Sequence, residues 1–465
     1  MIAGSDRPAY SEPWPDSSVQ REHGMASLAK KALGSGGIIG VTTGAVLLLE
    51  TGQAMHSGVA GSRAVLPILR SATWPQAFLA IAAGVLVCAG AWKLRRHLQR
   101  RQAMSRAVSC PGSTVAKREN NERLVRSYAA GTVELDSLPN FLIVDTTSKC
   151  NLKCLMCWQT TVSEEESPRV HLSHKALAEA LAVKDTLTRV NFHGSGEPLL
   201  NARFAEIVGE FRGQVDYMET CTNGTAVTRK NAAKLLDAGL NVIRFSCDGD
   251  NAESFERLRC GANFDKFIDN VKLTVALKQE LASPSHIGFN FVVSRESWRE
   301  LPGVVKLAES LGLDFIAIFA YIKMGDGVDD LVMPREGVEA VRKFISDYRT
   351  DPLSKCYLML APSLDASHEV MEQIPETSTT TKGEPGSSDN RMRCGALYSM
   401  MNIKADGSVY PCCIHPSKMG DLNRNTVEEI WNGEAYKDLR RQHATGEVDE
   451  MCLRCFDGLR YVTTR

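Results

Sequence analysis

The chain has 465 residues, a formal net charge of −1 and 14 cysteines. That length leaves room for roughly two or three domains, and the balanced charge gives no reason to expect nucleic acid as a partner. Cysteines clustered at short spacings in so long a chain point to metal rather than to a disulfide scaffold.

Residues 1–32 are rich in Pro, Ser and charge at their start and are expected to be disordered, with no secretory signal at the N-terminus. Two uncharged apolar runs follow, at 33–49 and 75–92. Each is near the lower limit of the ~17–25 residues that a membrane helix needs. Lys30 and Lys31 precede the first run, and Lys93, Arg95, Arg96, Arg100 and Arg101 follow the second. Positive charge outside both distal ends predicts a membrane hairpin over 33–101, with the rest of the chain on the cytoplasmic face. Arg63 and Arg70 in the connecting loop run against that asymmetry. Gly36, Gly40 and Gly44 share one helix face and would let helices pack closely. The alternative is a pair of buried or interfacial apolar helices.

From residue 138 to about 340, strand-length apolar runs alternate with amphipathic stretches of helix length. Strands are expected near 140–146, 188–193, 215–222, 241–248, 286–293 and 314–321, and helices near 173–184, 201–213, 228–239, 264–282 and 298–312. This alternation predicts a parallel sheet with helices outside, curled into a full or partial barrel. Sites in such folds lie at the C-terminal edge of the strands. A Ser/Thr/Gly-rich linker is expected at 366–392. A smaller unit over 393–460 then opens with a hairpin around Ala405-Asp406-Gly407, followed by a helix near 426–443.

The loop after the first expected strand carries Cys150, Cys154 and Cys157, spaced C-x3-C-x2-C. Iron–sulfur cubes take four cysteines, so three thiolates leave one iron open for chemistry. The competing readings are a zinc knuckle short of one ligand, or unrelated thiols. At the end of the second strand, Gly194-Ser195-Gly196-Glu197-Pro198 combines two glycines that permit close backbone approach to a ligand with a carboxylate at the sheet edge. His193 beside it reads as a satisfied strand-end residue. On the fourth strand, alternation turns Ile243, Phe245 and Cys247 to the outer helices and Arg244, Ser246 and Asp248 to the interior. Polar residues there imply a polar ligand or a buried Arg–Asp pair. Asn290 on the fifth strand is a weaker candidate of the same kind.

Together these segments resemble the radical S-adenosylmethionine (SAM) superfamily over roughly 138–325. Its cluster loop corresponds to Cys150, Cys154 and Cys157, and its GGEP motif to Gly194–Glu197 with Ser195 in place of a glycine. Thr222-Asn223-Gly224 and Ser246-Cys247-Asp248-Gly249 are also typical of it. The resemblance implies a partial (β/α)6 TIM-like barrel and a [4Fe-4S] cluster whose open iron chelates SAM. Gly194, Ser195, Gly196 and Glu197 would bind the methionine amino group, with Ser246 and Asp248 near the SAM carboxylate or ribose. Met156 departs from an aromatic found in many relatives, but keeps the apolar character of that position. The implied chemistry is reductive cleavage of SAM to a 5′-deoxyadenosyl radical that takes hydrogen from a substrate. An external one-electron donor such as a flavodoxin or ferredoxin is also implied.

Cys394, Cys412, Cys452 and Cys455 supply four thiolates, a complete set for a closed cluster. Segment 394–455 resembles the SPASM extension of radical SAM enzymes, which implies a second, auxiliary [4Fe-4S] cluster. Cys413 stands beside Cys412, and Cys412 is the preferred ligand. A four-cysteine zinc site is the alternative. His415 is a nearby possible ligand, with a surface loop residue as the preferred reading. The expected function is modification or oxidation of a peptide or protein. A dehydrogenase or epimerase of a small, sugar or lipid-linked molecule is the alternative. A membrane-anchored structural or redox-sensing metal protein is a reading of another class.

Overall fold

The computed structural model describes residues 114–165, 167–321, 331–351, 354–360, 394–449 and 451–452. The expected disordered segment 1–32, the apolar hairpin 33–101, the linker 366–392 and Cys455 lie outside the described residues. Among the described residues no helix is long and apolar enough to cross a membrane.

The alternating pattern folds as expected. Strands β1 (Phe141–Val144), β2 (Arg189–Phe192), β3 (Tyr217–Thr222), β4 (Val242–Ser246), β5 (His286–Val293) and β6 (Phe315–Ala320) pair in parallel in chain order. Between them run α2 (His174–Ala182), α3 (Phe204–Glu210), α4 (Arg229–Asp237), α5 (Ala252–Leu258), α6 (Phe264–Glu280) and α7 (Leu301–Ser310). Side-chain oxygens close the helix starts: Ser173, Thr228, Asn251 and Asn263 each accept a backbone N–H in the first turn. The outer face is apolar. Phe267 of α6 lies among Phe245, Phe255 and Phe289, with ring centroids 6.2, 4.7 and 6.0 Å away.

The sheet is larger than the six strands expected. A seventh strand, β7 (Tyr357–Leu360), pairs with β6 after α8 (Arg335–Thr350). On the other side, the C-terminal unit extends the same sheet. Short helix α9 (Ala396–Ser399) leads into β8 (Met400–Ile403), which pairs in parallel with β1. Then β9 (Ser408–Tyr410) and β10 (Gly420–Asp421) add antiparallel, giving the order β10-β9-β8-β1-β2-β3-β4-β5-β6-β7. The expected hairpin is therefore present, turned at Gly407 with φ of +87°.

The single helix expected near 426–443 is two, α10 (Val427–Trp431) and α11 (Glu434–Thr445), broken at Asn432-Gly433. Asn432 exchanges two hydrogen bonds with the Leu135 backbone, at 2.9 and 2.8 Å. Trp431 Nε1 donates to the Ser137 carbonyl at 2.9 Å. Helix α1 (Val115–Ala130), which precedes this stretch, was not expected. Its buried positions are Lys117, Asn120, Leu124 and Ser127, so helical spacing is present with polar residues on the buried face. Lys117 pairs with Asp216 at 2.6 Å, and Asn120 bonds both backbone groups of Leu138.

Candidate active site

The cysteine loop leaves the C-terminal end of β1 and is held from several sides. Lys153 N–H donates to the Cys260 carbonyl at 3.0 Å and Leu155 N–H to the Leu258 carbonyl at 2.9 Å. Glu197 N–H donates to the Lys149 carbonyl at 2.8 Å, and the Asn201 amide to the Thr146 carbonyl at 2.8 Å. Cys150 is exposed, while Cys154 and Cys157 are half-buried. Two side chains reach the sulfurs. Asn223 Nδ2 lies 3.9 Å from Cys150 Sγ, and an Arg259 guanidinium N–H lies 4.0 Å from Cys154 Sγ. Burial pushes the Cys154 thiol up to about 11, although Arg259 acts the other way. Three sulfurs on one loop with N–H donors at two of them fit an iron–sulfur cluster, whose metal would hold them as thiolates.

The Gly194–Glu197 segment packs against this loop. A Cβ on Gly196 would stand 2.2 Å from the Thr147 carbonyl oxygen and 2.6 Å from that of Lys149. One on Gly194 would meet the Asp145 carboxyl at 2.7 Å. The close approach expected to serve a ligand is thus, on these sides, an approach to the cysteine loop itself. Ser195 N–H donates to the Asp145 carboxylate at 2.9 Å. Burial pushes the Asp145 carboxyl above its usual range. Glu197 is buried, and its oxygens accept from Thr222 Oγ1 at 2.6 Å, Asn223 N–H at 2.6 Å and Leu199 N–H at 3.0 Å. Its carboxylate therefore ties the end of β2 to the Thr222-Asn223-Gly224 turn after β3.

The fourth strand alternates as expected. Ile243, Phe245 and Cys247 lie in the apolar core. Arg244 does not pair with Asp248, however. It ion-pairs with Glu219 of β3, while Asp248 ion-pairs with Arg259 at 2.5 Å and accepts the Val292 N–H at 2.8 Å. Asp248 is 0% exposed. Its carboxylate is thus enclosed, held by Arg259 and the Val292 backbone. Ser246 lies 3.2 Å from Cys221 Sγ and faces Asn290 across the register.

Glu219, absent from the expected site, anchors the interior. It also accepts from Arg189 at 3.0 Å and Tyr217 Oη at 2.8 Å, and His193 Nε2 lies 3.9 Å away. Burial pushes the Glu219 carboxyl up, but Arg244, then Arg189 and His193, pull it down to about 2. Burial is also the main reason that the pKa of His193 falls to about 4. Its imidazole is neutral at pH 7. A signal for Glu219 existed: two residues from Cys221 on β3, it shares that residue's face by the same alternation applied to β4.

Beyond β8, Lys404 lies 5.4 Å from the Trp158 ring and 6.0 Å from that of Tyr410. One ring follows Cys157 and the other precedes Cys412, so Lys404 stands between the two cysteine sets. In the second set, Cys412 Sγ accepts N–H groups from Ile414 at 3.4 Å and His415 at 3.2 Å. Cys394 is half-buried and Cys413 is exposed. His415, expected on a surface loop, is 6% exposed and bonds Asp449 at 2.6 Å. Asp449 accepts the Cys452 N–H at 2.8 Å, and ligand atoms of His415, Asp449 and Cys452 all lie within 4.8 Å of one another.

A cysteine loop stands at the C-terminal edge of a parallel α/β sheet, and a second cysteine unit is built onto that sheet, an arrangement that suits two iron–sulfur clusters. The Radical SAM superfamily profile matches residues 144–308, and that of SPASM, an iron–sulfur cluster-binding domain, matches 394–456. The chain belongs to the radical SAM superfamily and is an enzyme of its SPASM-bearing kind. Its cofactors are a [4Fe-4S] cluster, SAM and auxiliary iron–sulfur.

Among proteins of known name, it is 28% identical over 324 residues to a tungsten-containing aldehyde ferredoxin oxidoreductase cofactor-modifying protein of Pyrococcus furiosus, covering 64% of this chain and 83% of that one. It is 25% identical over 325 residues to an AdoMet-dependent heme synthase of Oleidesulfovibrio alaskensis, covering 67% and 78%. In fold it is similar to SuiB of Streptococcus suis, with a TM-score of 0.53 at 15% identity over 70% of this chain and 72% of that one.

Proposed function

We propose that Cys150, Cys154 and Cys157 hold the cluster that binds SAM and that hydrogen is taken from a substrate on the inner face of the sheet. The observation that carries this is the loop itself, fixed at the strand ends with Asn223 and Arg259 at two of its sulfurs. Bound there, the cluster and SAM would supply one-electron radical chemistry for removing hydrogen from a substrate, the electron coming from an external donor. The chain's own residues position and enclose. Gly196 and Glu197 lock the loop, while Ser246 and Asn290 lie beside each other on the inner face, where they suit SAM or substrate contact. Cys394, Cys412, Cys452 and Cys455 hold the auxiliary cluster, which accepts an electron from the substrate or anchors it. The uncharged runs at 33–49 and 75–92, with basic residues outside both distal ends, support attachment to the cytoplasmic face of a membrane.

For the substrate, the peptide or protein reading rests on the sequence resemblance. A smaller cofactor-type substrate is the second reading, favoured by the two relatives named as cofactor-modifying protein and heme synthase. Anaerobic reconstitution with iron and sulfide, followed by reduction with SAM present, tests the chemistry: 5′-deoxyadenosine should form. Retention of zinc alone, with no cluster absorption, would overturn it. Deuterium transfer into 5′-deoxyadenosine from labelled peptide or cofactor candidates separates the two substrate readings.

A further inference from the structure

Behind Cys154 lies a buried ion pair that the SAM chemistry above does not use. Arg259 follows α5 in the segment whose Leu258 and Cys260 carbonyls receive the loop's Leu155 and Lys153 N–H groups. Its side chain is 9% exposed and that of Asp248 is 0%. One guanidinium nitrogen lies 2.5 Å from Asp248, another lies 4.0 Å from Cys154 Sγ, and Nε has no partner. Asp248 is in turn fixed by the Val292 N–H at 2.8 Å. A cation so enclosed is weakly screened, and Asp248 pairs with a different guanidinium nitrogen from the one nearest the sulfur.

Resting on the assignment of the cluster to this loop, we infer that Arg259 is a positioning residue that raises the reduction potential of that cluster, and that Asp248 sets how far. A cluster's potential follows its net charge and the hydrogen bonds to its sulfurs. Taking up one electron from the external donor makes the cluster and its thiolates more negative. A guanidinium beside Cys154 favours that state, and the carboxylate behind it partly cancels the effect. Asn223 at Cys150 supplies a hydrogen bond without a charge, so charge distinguishes the two contacts.

The test is an EPR-monitored redox titration of the full chain, reconstituted anaerobically. The signal that changes on adding SAM is followed, so that the auxiliary cluster is not misread. Arg259→Gln keeps a donor and loses the charge. It should cut the reduced fraction at a fixed potential about tenfold, equal to ~59 mV for a one-electron couple. Arg259→Lys keeps the charge and should stay closer to wild type. Asp248→Asn keeps an acceptor for Val292 and frees the cation, so its potential should rise. A merely structural role would not move the potential in opposite directions for Arg259→Gln and Asp248→Asn. Equal potentials, or shifts of the same sign, would overturn the inference. If Arg259→Gln takes up no iron, Arg259→Lys and Asp248→Asn still decide it. A wild-type protein with no SAM-responsive signal would instead overturn the cluster assignment and this inference with it.

Discussion

Cys150, Cys154 and Cys157 occupy one loop, held by the segment after β2 and by the end of α5, whereas Cys394, Cys412 and Cys452 come from separate segments that only the folded sheet brings toward one another. The first set has a guanidinium and an amide at its sulfurs; the second has backbone N–H groups at Cys412. The contrast shows where each site is vulnerable. The first should fail through local packing or nearby charge, and the second through its ligands or through the β1–β8 pairing that carries it.

The largest expected effects separate the two sets outright. Replacing Cys150, Cys154 and Cys157 together with Ala should remove about four of about eight irons and abolish SAM cleavage. Iron analysis with 5′-deoxyadenosine assay checks it, and residual cleavage would sink the assignment. Cys412→Ala should remove the other four irons and leave SAM cleavage. Cys413→Ala should remove none, because the backbone N–H groups that steady a thiolate converge on the Cys412 sulfur. Equal iron loss in both single variants would make Cys413 a ligand as well.

Gly196→Ala probes the local packing of the first loop. Its new Cβ would meet two backbone carbonyls of that loop, which have little room to yield. Overpacking of this kind costs ~1–3 kcal/mol, and the cost falls on the loop rather than on the second set. Iron at the SAM-responsive site should drop while the auxiliary signal persists. Loss of both signals in parallel would mean that the two sites are not independent.

Glu219→Gln reaches the inner face that both sets border. Removing a buried carboxylate that holds Arg244 and Arg189 leaves charges uncompensated, at a cost of ~3–5 kcal/mol. The folded pKa lies below the ordinary 4.5, at about 2. The stability from this group is therefore complete above pH 4.5 and disappears as pH falls toward 2. Denaturant unfolding should show a large difference between variant and wild type near neutrality that shrinks through that acid window. A difference unchanged by pH would show that the network does not depend on the Glu219 charge.

Much of this was legible in sequence, for physical reasons that also explain the gaps. Strands β1 to β6 and the helices α2, α3, α4, α6 and α7 announce themselves because each buries apolar residues at its own period. Helix α1 hides because its buried stripe is Lys117, Asn120 and Ser127, which apolar counting scores as solvent-facing. The reading of Arg244, Ser246 and Asp248 as inward-facing rested on alternation and holds. Their partners did not follow, because pairing Arg244 with Glu219 and Asp248 with Arg259 depends on strand register and on the loop after α5. The join of β8 to β1 was likewise invisible, since hairpin signals are local and a parallel pairing between Leu142 and Met401 is not. The burial of His415 is hidden for the same reason: Asp449, which bonds it, lies far along the chain.

The smallest effect belongs to His193, which stands beside Glu219 and under the charge of Lys404. Burial lowers its pKa from 6.5 to about 4, so the fold prefers the neutral ring. The unfolded chain takes up this proton first as pH falls. The contribution is thus complete above pH 6.5 and is lost as pH drops through 4, a window that lies above that of Glu219. His193→Gln removes the titration while keeping a polar side chain. Relative to wild type, the variant should gain stability on moving from about pH 7 to about pH 5, by a modest amount because the ring is only half-buried. Thermal melts of both proteins over that range decide it. A wild-type-minus-variant difference that stays constant would show that the fold does not hold the His193 ring neutral.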